Sequence, residues 1–311
     1  MNAAPADAAK DNWVDLYAPE GAKPYLRLMR ADRPIGTWLL LIPCWQGLAL
    51  AAAERGAEPR ALLLDAALFA VGAMVMRGAG CAYNDIVDRD FDAKVARTAK
   101  RPIPAGQIGV KSAWAFLFGL CLVGLAVLLQ FNPYTVALGA GSIGLIAAYP
   151  FMKRITWWPQ AWLGLTFNWG ALMGYAAIAG ELTPAPMLLY ASGLAWTLGY
   201  DTIYAHQDKE DDALVGVKSS ARLLGSQTTP ALIGFYAFTI AGAAGAMLLA
   251  GISPLYLLLL IPAAAHFYWQ ITKLDIDNPA NCLRVFRSNR DAGLLVLAPL
   301  LLAALASLSY V

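Results

Sequence analysis

The stretch LLLDAALFAVGAMVMRGAGCAY, residues 62 to 83, decides the fold class. It is an almost unbroken apolar run of about 20 residues, the length that crosses a bilayer as an α-helix. The whole chain has the same character, because 59% of its 311 residues are hydrophobic and only 14% are charged. Soluble domains carry about a quarter charged residues. The composition therefore indicates an integral membrane protein.

Apolar runs of this kind recur along the chain. Each is interpreted as a transmembrane helix, because every backbone amide must find a partner inside the bilayer and the runs lack the alternation of a membrane barrel. The predicted spans are 34–53, 61–83, 112–131, 134–151, 159–179, 186–206, 228–249, 254–271 and 292–310. The predicted fold is thus an all-α polytopic membrane protein with about nine transmembrane helices.

Lys and Arg are concentrated on one side of this predicted topology. All but three of the 23 Lys and Arg residues fall in the N-terminal segment or in alternate loops, and the exceptions are Arg55, Arg60 and Arg77. The positive-inside rule predicts that the N-terminus and these alternate loops lie in the cytoplasm.

The N-terminal 25 residues resemble no targeting segment. They contain several acidic residues, and they lack both the apolar core of a signal peptide and the Arg-rich, acid-poor character of a mitochondrial presequence. We expect residues 1–25 to form a mobile cytoplasmic tail and residues 26–311 to form a single transmembrane domain. We also expect the protein to reside in a bacterial inner (plasma) membrane.

Several kinds of chemistry find no support in the sequence. Cys44, Cys81, Cys121 and Cys282 show no CxxC or other metal-ligand spacing, which is typical of apolar packing residues. Neither a GxxxxGK[ST] nor a GxGxxG motif occurs, so nucleotide-driven chemistry is not predicted. No nucleic-acid partner is expected.

The sequence NDIVDRDFD, residues 84 to 92, follows the opening apolar run directly. On a helix Asp85, Asp88 and Asp92 are spaced i, i+3 and i+7, and Asn84 lies four residues before Asp88. These spacings place the oxygens on one side, where like charges repel one another. Such a row of carboxylates needs a cation close to it.

A second acidic cluster, DTIYAHQDKEDD at 201–212, follows another apolar run. Asp208 and Asp212 are four residues apart, Asp201 lies seven before Asp208, and Asp211 offers a substitute carboxylate. Hard oxygen ligands without Cys or His suit Mg²⁺, which typically joins a few carboxylates to phosphate oxygens. Both clusters are therefore predicted to bind Mg²⁺ together with a diphosphate.

Basic side chains flank both clusters, in DAKVARTAKRPIPAG, YPFMKRITWWPQ and GVKSSARLLG. They can neutralise phosphate oxygens that the metal does not reach, although contact with anionic lipid is the alternative for each of them. The candidate diphosphate contacts are Lys94, Arg97, Tyr149, Lys153 and Lys218.

Arg77 lies inside the second predicted span, seven residues before Asn84. An arginine within the bilayer is costly and usually faces a polar cavity. Snorkelling to the membrane surface is the alternative. We predict that Arg77 faces a cavity, where it pairs with the acidic cluster or holds an anionic substrate.

These stretches resemble the UbiA superfamily of intramembrane aromatic prenyltransferases. NDIVDRDFD fits its first motif, NDxxDxxxD, and DKEDD with GVKSSARLLG is similar to its second. LMRADRPIGTWLLLIP, MRGAGCAYND and RTAKRPIPAG extend the likeness along nearly the whole chain. YPFMKRITWWPQ and YDTIYAHQDKEDD look like the branch that prenylates 4-hydroxybenzoate in ubiquinone biosynthesis.

The resemblance implies a fold and a reaction. About nine helices would surround a central cavity beneath cytoplasmic helical cap loops. Mg²⁺ would join the motif carboxylates to a polyprenyl diphosphate, whose tail extends into membrane lipid. The ring carbon ortho to the hydroxyl of 4-hydroxybenzoate would then take the prenyl group.

The resemblance also implies roles for particular residues. Arg77 or Arg30 would bind the benzoate carboxylate, and the sequence does not decide between them. The implied metal ligands are Asn84, Asp85, Asp88, Asp92, Asp201, Asp208, Asp211 and Asp212. The residues expected to act in catalysis are Asp88, Asp92, Asp208, Asp212 and Arg77.

Two other functions stay open at this point. One is a prenyltransferase of the same superfamily with a menaquinone-, haem O- or chlorophyll-type acceptor. The other is a cation transporter, although its carboxylates would be expected deep within the spans and not at their ends. A CDP-alcohol phosphotransferase is disfavoured because its DGxxAR signature is missing.

Overall fold

The computed structural model describes residues 12–94, 98–214 and 216–308. These residues form α-helices joined by turns and short 3₁₀ segments, and none of them is in a β-strand. The helices are α1 Trp13–Tyr17, α2 Lys23–Leu28, α3 Ile35–Arg55, α4 Pro59–Val87, α5 Arg89–Asp92, α6 Val110–Leu128, α7 Pro133–Ile155, α8 Pro159–Phe167, α9 Trp169–Ala179, α10 Pro184–Ala205, α11 Lys209–Leu214, α12 Ser220–Leu224, α13 Thr228–Leu249, α14 Ile261–Lys273, α15 Pro279–Arg287 and α16 Asn289–Leu308.

Seven helical segments in the described part of the chain are long and apolar enough to cross a membrane. They are Ile35–Arg55, Pro59–Val87, Val110–Leu128, Pro133–Ile155, Ser220–Leu249, Pro254–Lys273 and Pro279–Leu308. The predicted all-helical, multi-pass fold is confirmed. The two remaining predicted spans are also helical: 159–179 is divided at Asn168 into α8 and α9, and 186–206 corresponds to α10. The count of nine is therefore approximate.

The chain forms two compact units. The first is Met1–Trp38 with Ala70–Gln130, and the second is Leu39–Phe69 with Phe131–Val311. In the first unit a hydrophobic cluster joins the end of α4 to the start of α6 and to the turns before α6. Its buried members are Leu28, Ala82, Ile86, Ile103, Ile108, Ala113 and Leu117. This cluster fixes the last turns of α4, which carry Asn84 and Asp85 of NDIVDRDFD.

The N-terminal helices α1 and α2 belong to the first unit. Val14 is fully buried, the indole Nε1 of Trp13 donates to the carbonyl oxygen of Ala31 at 2.9 Å, and Arg27 pairs with Asp15 at 2.7 Å. The predicted mobile tail, residues 1–25, therefore includes a packed helix, while residues 1–11 lie outside the described part of the chain. The predicted division at residue 25 stays a prediction.

The second unit is built around α10, which packs most extensively along α13 and α8. In the same unit α3 and α9 approach each other closely because glycine lies at their contact. A methyl group on Gly174 would lie 2.8 Å from the backbone nitrogen of Leu48, and one on Gly47 would lie 2.8 Å from the carbonyl carbon of Ala171. Helices in membranes commonly pack through such small residues, which bring backbones together.

Asn168 explains why the span 159–179 is broken. Its side-chain amide donates to the carbonyl oxygen of Gly164 at 2.9 Å and to the hydroxyl of Thr197 at 2.8 Å. Both Asn168 and Thr197 are buried. A polar side chain inside an apolar region needs such partners, so the break between α8 and α9 is tied to α10.

Candidate functional site

The first aspartate motif lies where α4 ends. Asp85 is in the last turns of α4, Asp88 follows the helix, and Asp92 ends the single turn α5. Asp85 and Asp88 are fully buried and Asp92 is 7% exposed, whereas the side chain of Asp90 is 79% exposed. The three aspartates that the motif spacing predicted to lie together, Asp85, Asp88 and Asp92, are thus all buried. Asn84, the fourth predicted ligand of this motif, is half-buried in α4.

Two arginines neutralise this motif. Arg30 Nη2 donates to Asp85 Oδ1 at 2.7 Å. Arg101 Nη1 donates to the same oxygen at 3.2 Å and to Asp92 Oδ2 at 2.7 Å. Burial raises the pKa of Asp92, and the repulsion of Asp85 adds to that effect, while Arg101 opposes it. Arg101 therefore helps to keep the buried Asp92 carboxylate charged.

Arg77 lies on α4 two turns before Asp85. Its guanidinium contacts the thiol of Cys81 and lies beside Gly36, where a methyl group would come within 2.7 Å of Arg77 Nη2. Gly36 therefore leaves the space that this guanidinium occupies. Arg77 is half-buried, and the predictions that it faces a cavity and that it binds an anionic substrate both stay predictions.

The second aspartate motif is not one continuous helix. Asp201 lies in α10, Asp208 ends a 3₁₀ turn, and Asp212 lies in α11. All three are half-buried, and the side chain of Asp211 lies outside the described part of the structure. His206, which follows α10, is buried, and its Nε2 lies 2.9 Å from the hydroxyl oxygen of Thr228. The metal-ligand roles predicted for these residues stay predictions.

The five predicted diphosphate contacts differ in their exposure and in their hydrogen bonds. Lys218 donates its ammonium to the carbonyl oxygen of Ile155 at 3.2 Å, and so ties the segment after α11 to the end of α7. Tyr149 and Lys153 are half-buried on α7, and Lys94 is exposed. Arg97 lies outside the described residues. Contact of any of these with a diphosphate stays a prediction.

A divalent cation fits the first motif by chemistry and burial. The donors are carboxylate oxygens, which suit Mg²⁺. Asp85 Oδ2 is buried and has no hydrogen-bond partner in the described part of the chain, so an acceptor is available there. Over the same residues, no three Asp, Glu, His or Cys side chains lie in a ready metal-binding arrangement. Arginine takes some of the carboxylate oxygens that a cation would use.

Two charged residues of the first unit, the half-buried Arg101 and the buried Asp32, were not among the predicted ligands. In the sequence Arg101 is one of several basic residues that follow the first motif, and Asp32 lies just before the first predicted span. Asp32 is 2% exposed, accepts from Arg33 Nε at 3.2 Å, and has its pKa raised by burial. The signal that could have identified both residues is their place within RTAKRPIPAG and LMRADRPIG, two of the family-like stretches.

Known proteins are similar to this chain in sequence. A family model described as the UbiA prenyltransferase family matches residues 40–307. The chain is 50% identical over 293 residues to the mitochondrial 4-hydroxybenzoate polyprenyltransferases of Homo sapiens and Bos taurus, covering 93% of this chain and 77% of theirs. It is 47% identical over 292 residues to the protein of that name from Arabidopsis thaliana, covering 94% of this chain and 71% of the relative.

Solved structures of more distant proteins share the fold. A UbiA homologue from Aeropyrum pernix K1 superposes with a TM-score of 0.72 at 24% identity, covering 86% of this chain and 97% of that one. A UbiA homologue from Archaeoglobus fulgidus, bound to GPP and Mg²⁺, superposes with a TM-score of 0.64 at 18% identity, covering 92% and 99%. The same homologue has been solved with Cd²⁺.

These comparisons overturn one prediction. The expectation of a bacterial inner membrane, with a cytoplasmic N-terminus, is wrong, because the similar curated proteins are mitochondrial proteins of eukaryotes and point to a mitochondrial membrane. The expectation depended on the missing presequence. The first 25 residues cannot show whether the protein is bacterial or mitochondrial, since this chain spans only 77% of the human relative's length. The multi-pass nature of the protein is unaffected.

Proposed function

Because the chain belongs to the UbiA prenyltransferase family, we propose that it transfers a polyprenyl group from a polyprenyl diphosphate to 4-hydroxybenzoate. The new bond forms at the ring carbon ortho to the hydroxyl, and the reaction is a step of ubiquinone biosynthesis. The buried row of Asp85, Asp88 and Asp92, neutralised by arginine, carries the proposal of diphosphate chemistry. The choice of 4-hydroxybenzoate is supported by the names of the curated relatives.

The carboxylates of the two motifs would be the ligands of divalent ions that bind the leaving diphosphate. Asp85, Asp88 and Asp92 are the proposed ligands in the first unit, with the amide oxygen of Asn84 beside them. Asp201, Asp208 and Asp212 are those of the second unit. When bound, Mg²⁺ supplies the positive charge that stabilises the departing diphosphate oxygens. Lys153 and Tyr149 are proposed to contact the remaining diphosphate oxygens.

Arg77 is the proposed partner of the benzoate carboxylate. Arg30 was the alternative, but its guanidinium is engaged by Asp85 Oδ1 and by the carbonyl oxygen of Arg27. Arg77 and Asp85 are eight residues apart on α4, which corresponds to about 12 Å along the helix axis. An aromatic ring fits between a carboxylate held at Arg77 and an allylic carbon whose diphosphate is held near Asp85.

The chemical step exchanges one bond for another. The allylic carbon–oxygen bond to diphosphate breaks, a carbon–carbon bond to the ring forms, and the ring proton leaves to restore aromaticity. The phenol makes the ortho carbon electron-rich. The allylic cation must be kept from water, which apolar surroundings within the membrane provide.

An acceptor panel tests the proposal. Purified protein is incubated with a polyprenyl diphosphate and Mg²⁺, and with 4-hydroxybenzoate, a menaquinone-type naphthoate or haem as acceptor. We expect a product from 4-hydroxybenzoate with the prenyl group on carbon, identified by mass spectrometry and NMR, and none after chelation with EDTA. A product from another acceptor alone would contradict the choice of acceptor, and turnover in EDTA would contradict the need for a divalent cation.

A further inference from the structure

Asp85 is held from one side. Its Oδ1 accepts from both Arg30 and Arg101, at 2.7 and 3.2 Å. Its Oδ2 is equally buried, yet no described residue forms a hydrogen bond with it. A buried carboxylate oxygen without a donor is costly, unless another ligand takes that place in the working protein.

The side chain and backbone of Arg30 are both held by their surroundings. It is 9% exposed, and its Nη1 also donates to the carbonyl oxygen of Arg27 at 3.1 Å. In the described part of the chain it is the one residue other than glycine with a positive φ, at 61°. Such a backbone persists only where the surroundings enforce it, and it is concentrated at functional sites. Arg30 is thus a fixed anchor for Asp85 Oδ1.

Arg101 is placed differently. A single nitrogen, Nη1, lies between Asp85 Oδ1 and Asp92 Oδ2, and thereby bridges two carboxylates with one positive group. Arg101 belongs to the turns between α5 and α6, and its side chain is more exposed than that of Arg30, 15% against 9%. A divalent cation held by Asp85 and Asp92 would compete with this guanidinium for the same two carboxylates.

We propose that Arg101 is an exchangeable positioning residue, which occupies the Asp85–Asp92 pair in the metal-free protein and leaves it when a divalent cation binds. Arg30 keeps its bond to Asp85 throughout. The exchange preserves the arrangement of buried carboxylates between turnovers, since one cation replaces another. This inference rests on the proposed use of a divalent cation.

Arginine reactivity in the unaltered protein tests the exchange. Phenylglyoxal modification of each arginine is mapped by mass spectrometry at increasing Mn²⁺, without substrate, and bound Mn²⁺ is counted by electron paramagnetic resonance. Release from two ion pairs should raise the modification rate of Arg101 about tenfold, while Arg89, whose partner Asp90 is exposed, keeps its rate. Bound Mn²⁺ with no change at Arg101 would overturn the exchange and leave the proposed function standing. No bound Mn²⁺ would overturn the exchange in the substrate-free protein, and the acceptor panel with and without EDTA would then decide the proposed function separately.

A second test compares Mn²⁺ affinities of variants. Arg101→Gln removes the competing cation and should tighten Mn²⁺ binding about tenfold. Arg89→Gln removes the same charge nearby without touching Asp85 or Asp92, and should change the affinity less than about twofold. Arg101→Lys keeps a competing charge and should stay near the affinity of the unaltered protein. Unchanged or weaker Mn²⁺ binding in Arg101→Gln would overturn the proposal.

Discussion

Asp85, Asp88 and Asp92 are carboxylates removed from solvent within one unit, and Arg30 and Arg101 donate to two of them. Taking such charges out of water costs several kcal/mol for each ion, and a good partner returns only part of that cost. Stability alone would favour apolar residues at these positions. The cluster is therefore best explained by the leaving group that it is proposed to bind.

Loss of the Arg30 anchor should destabilise the protein. Arg30→Ala leaves Asp85 without its shortest ion pair, and breaking a buried pair from one side costs about 3–5 kcal/mol. Lys23→Ala is the control, because Lys23 pairs with the exposed Glu20 and such pairs contribute about 0–1 kcal/mol. The free energy of unfolding is measured by SDS titration in detergent micelles. Equal effects of the two substitutions would show that Asp85 does not depend on Arg30.

Gly36 should govern acceptor binding through Arg77. A methyl group at Gly36 would lie 2.7 Å from Arg77 Nη2 and would push this flexible guanidinium aside while the backbones stay in place. We expect Gly36→Ala to raise the KM for 4-hydroxybenzoate about tenfold, the loss of roughly 1.4 kcal/mol of a charge-assisted contact. The KM for the prenyl diphosphate should change little.

The control for this prediction is Gly80→Ala on α4, because a methyl group there meets no atom of the described residues within 4 Å. Both kinetic constants should be unchanged in that variant. An equal rise of both KM values in Gly36→Ala would remove Arg77 from the acceptor site.

At the scale of helices, apolar run length predicted most of the fold. The boundaries of α3 and α10 differ from the predicted spans by only a few residues. α4 continues to Val87, beyond the predicted end at 83, because Ala82 and Ile86 pack against Leu28 and Ile108. The polar sequence that follows the apolar run gives no sign of these packing contacts, so the helix end could not be predicted from it.

Two features could not be predicted from sequence for a related reason. The break at Asn168 depends on Thr197, which is 29 residues away, so periodicity within the span carries no sign of it. Arg101 reaches Asp85 and Asp92 from turns that have no regular spacing. The aspartate positions themselves followed from motif spacing, whereas their ion pairs required the three-dimensional arrangement.

Close helix packing in the second unit should depend on Gly174. A methyl group there would lie 2.8 Å from the backbone nitrogen of Leu48, which cannot move aside as a side chain can. We expect Gly174→Ala to cost about 1–3 kcal/mol of stability through overpacking. Gly144→Ala on α7, where a methyl group meets nothing within 4 Å among the described residues, should be neutral or slightly stabilising. Melting curves in detergent compare the two, and equal melting temperatures would contradict the packing.

At the scale of the whole molecule, the exposed apolar side chains match a lipid environment. Leu122 on α6 is 67% exposed, and Phe118 on the same helix is 59% exposed. Large apolar side chains that are exposed together are unfavourable in water. The surface of α6 that carries Leu122 and Phe118 is therefore assigned to lipid.

A charge on this surface should prevent normal insertion. Leu122→Arg places a guanidinium within a membrane-spanning helix, at a cost of about 2.5–3.5 kcal/mol near the helix centre. We expect much less of this variant in the membrane fraction than of Leu122→Ala, which keeps the surface apolar. Equal membrane levels, measured by quantitative immunoblotting, would place Leu122 away from lipid.

The most direct test of the proposed chemistry compares two neighbouring aspartates. Asp88 is fully buried, whereas the side chain of Asp90 is 79% exposed, so Asp88→Asn and Asp90→Asn remove the same charge two residues apart. Turnover of 4-hydroxybenzoate with a polyprenyl diphosphate is measured at saturating Mg²⁺ for both. We predict a fall in kcat of about 100-fold or more for Asp88→Asn and a change within about twofold for Asp90→Asn. Undiminished turnover in a folded Asp88→Asn protein would contradict the assignment of this motif to the diphosphate site.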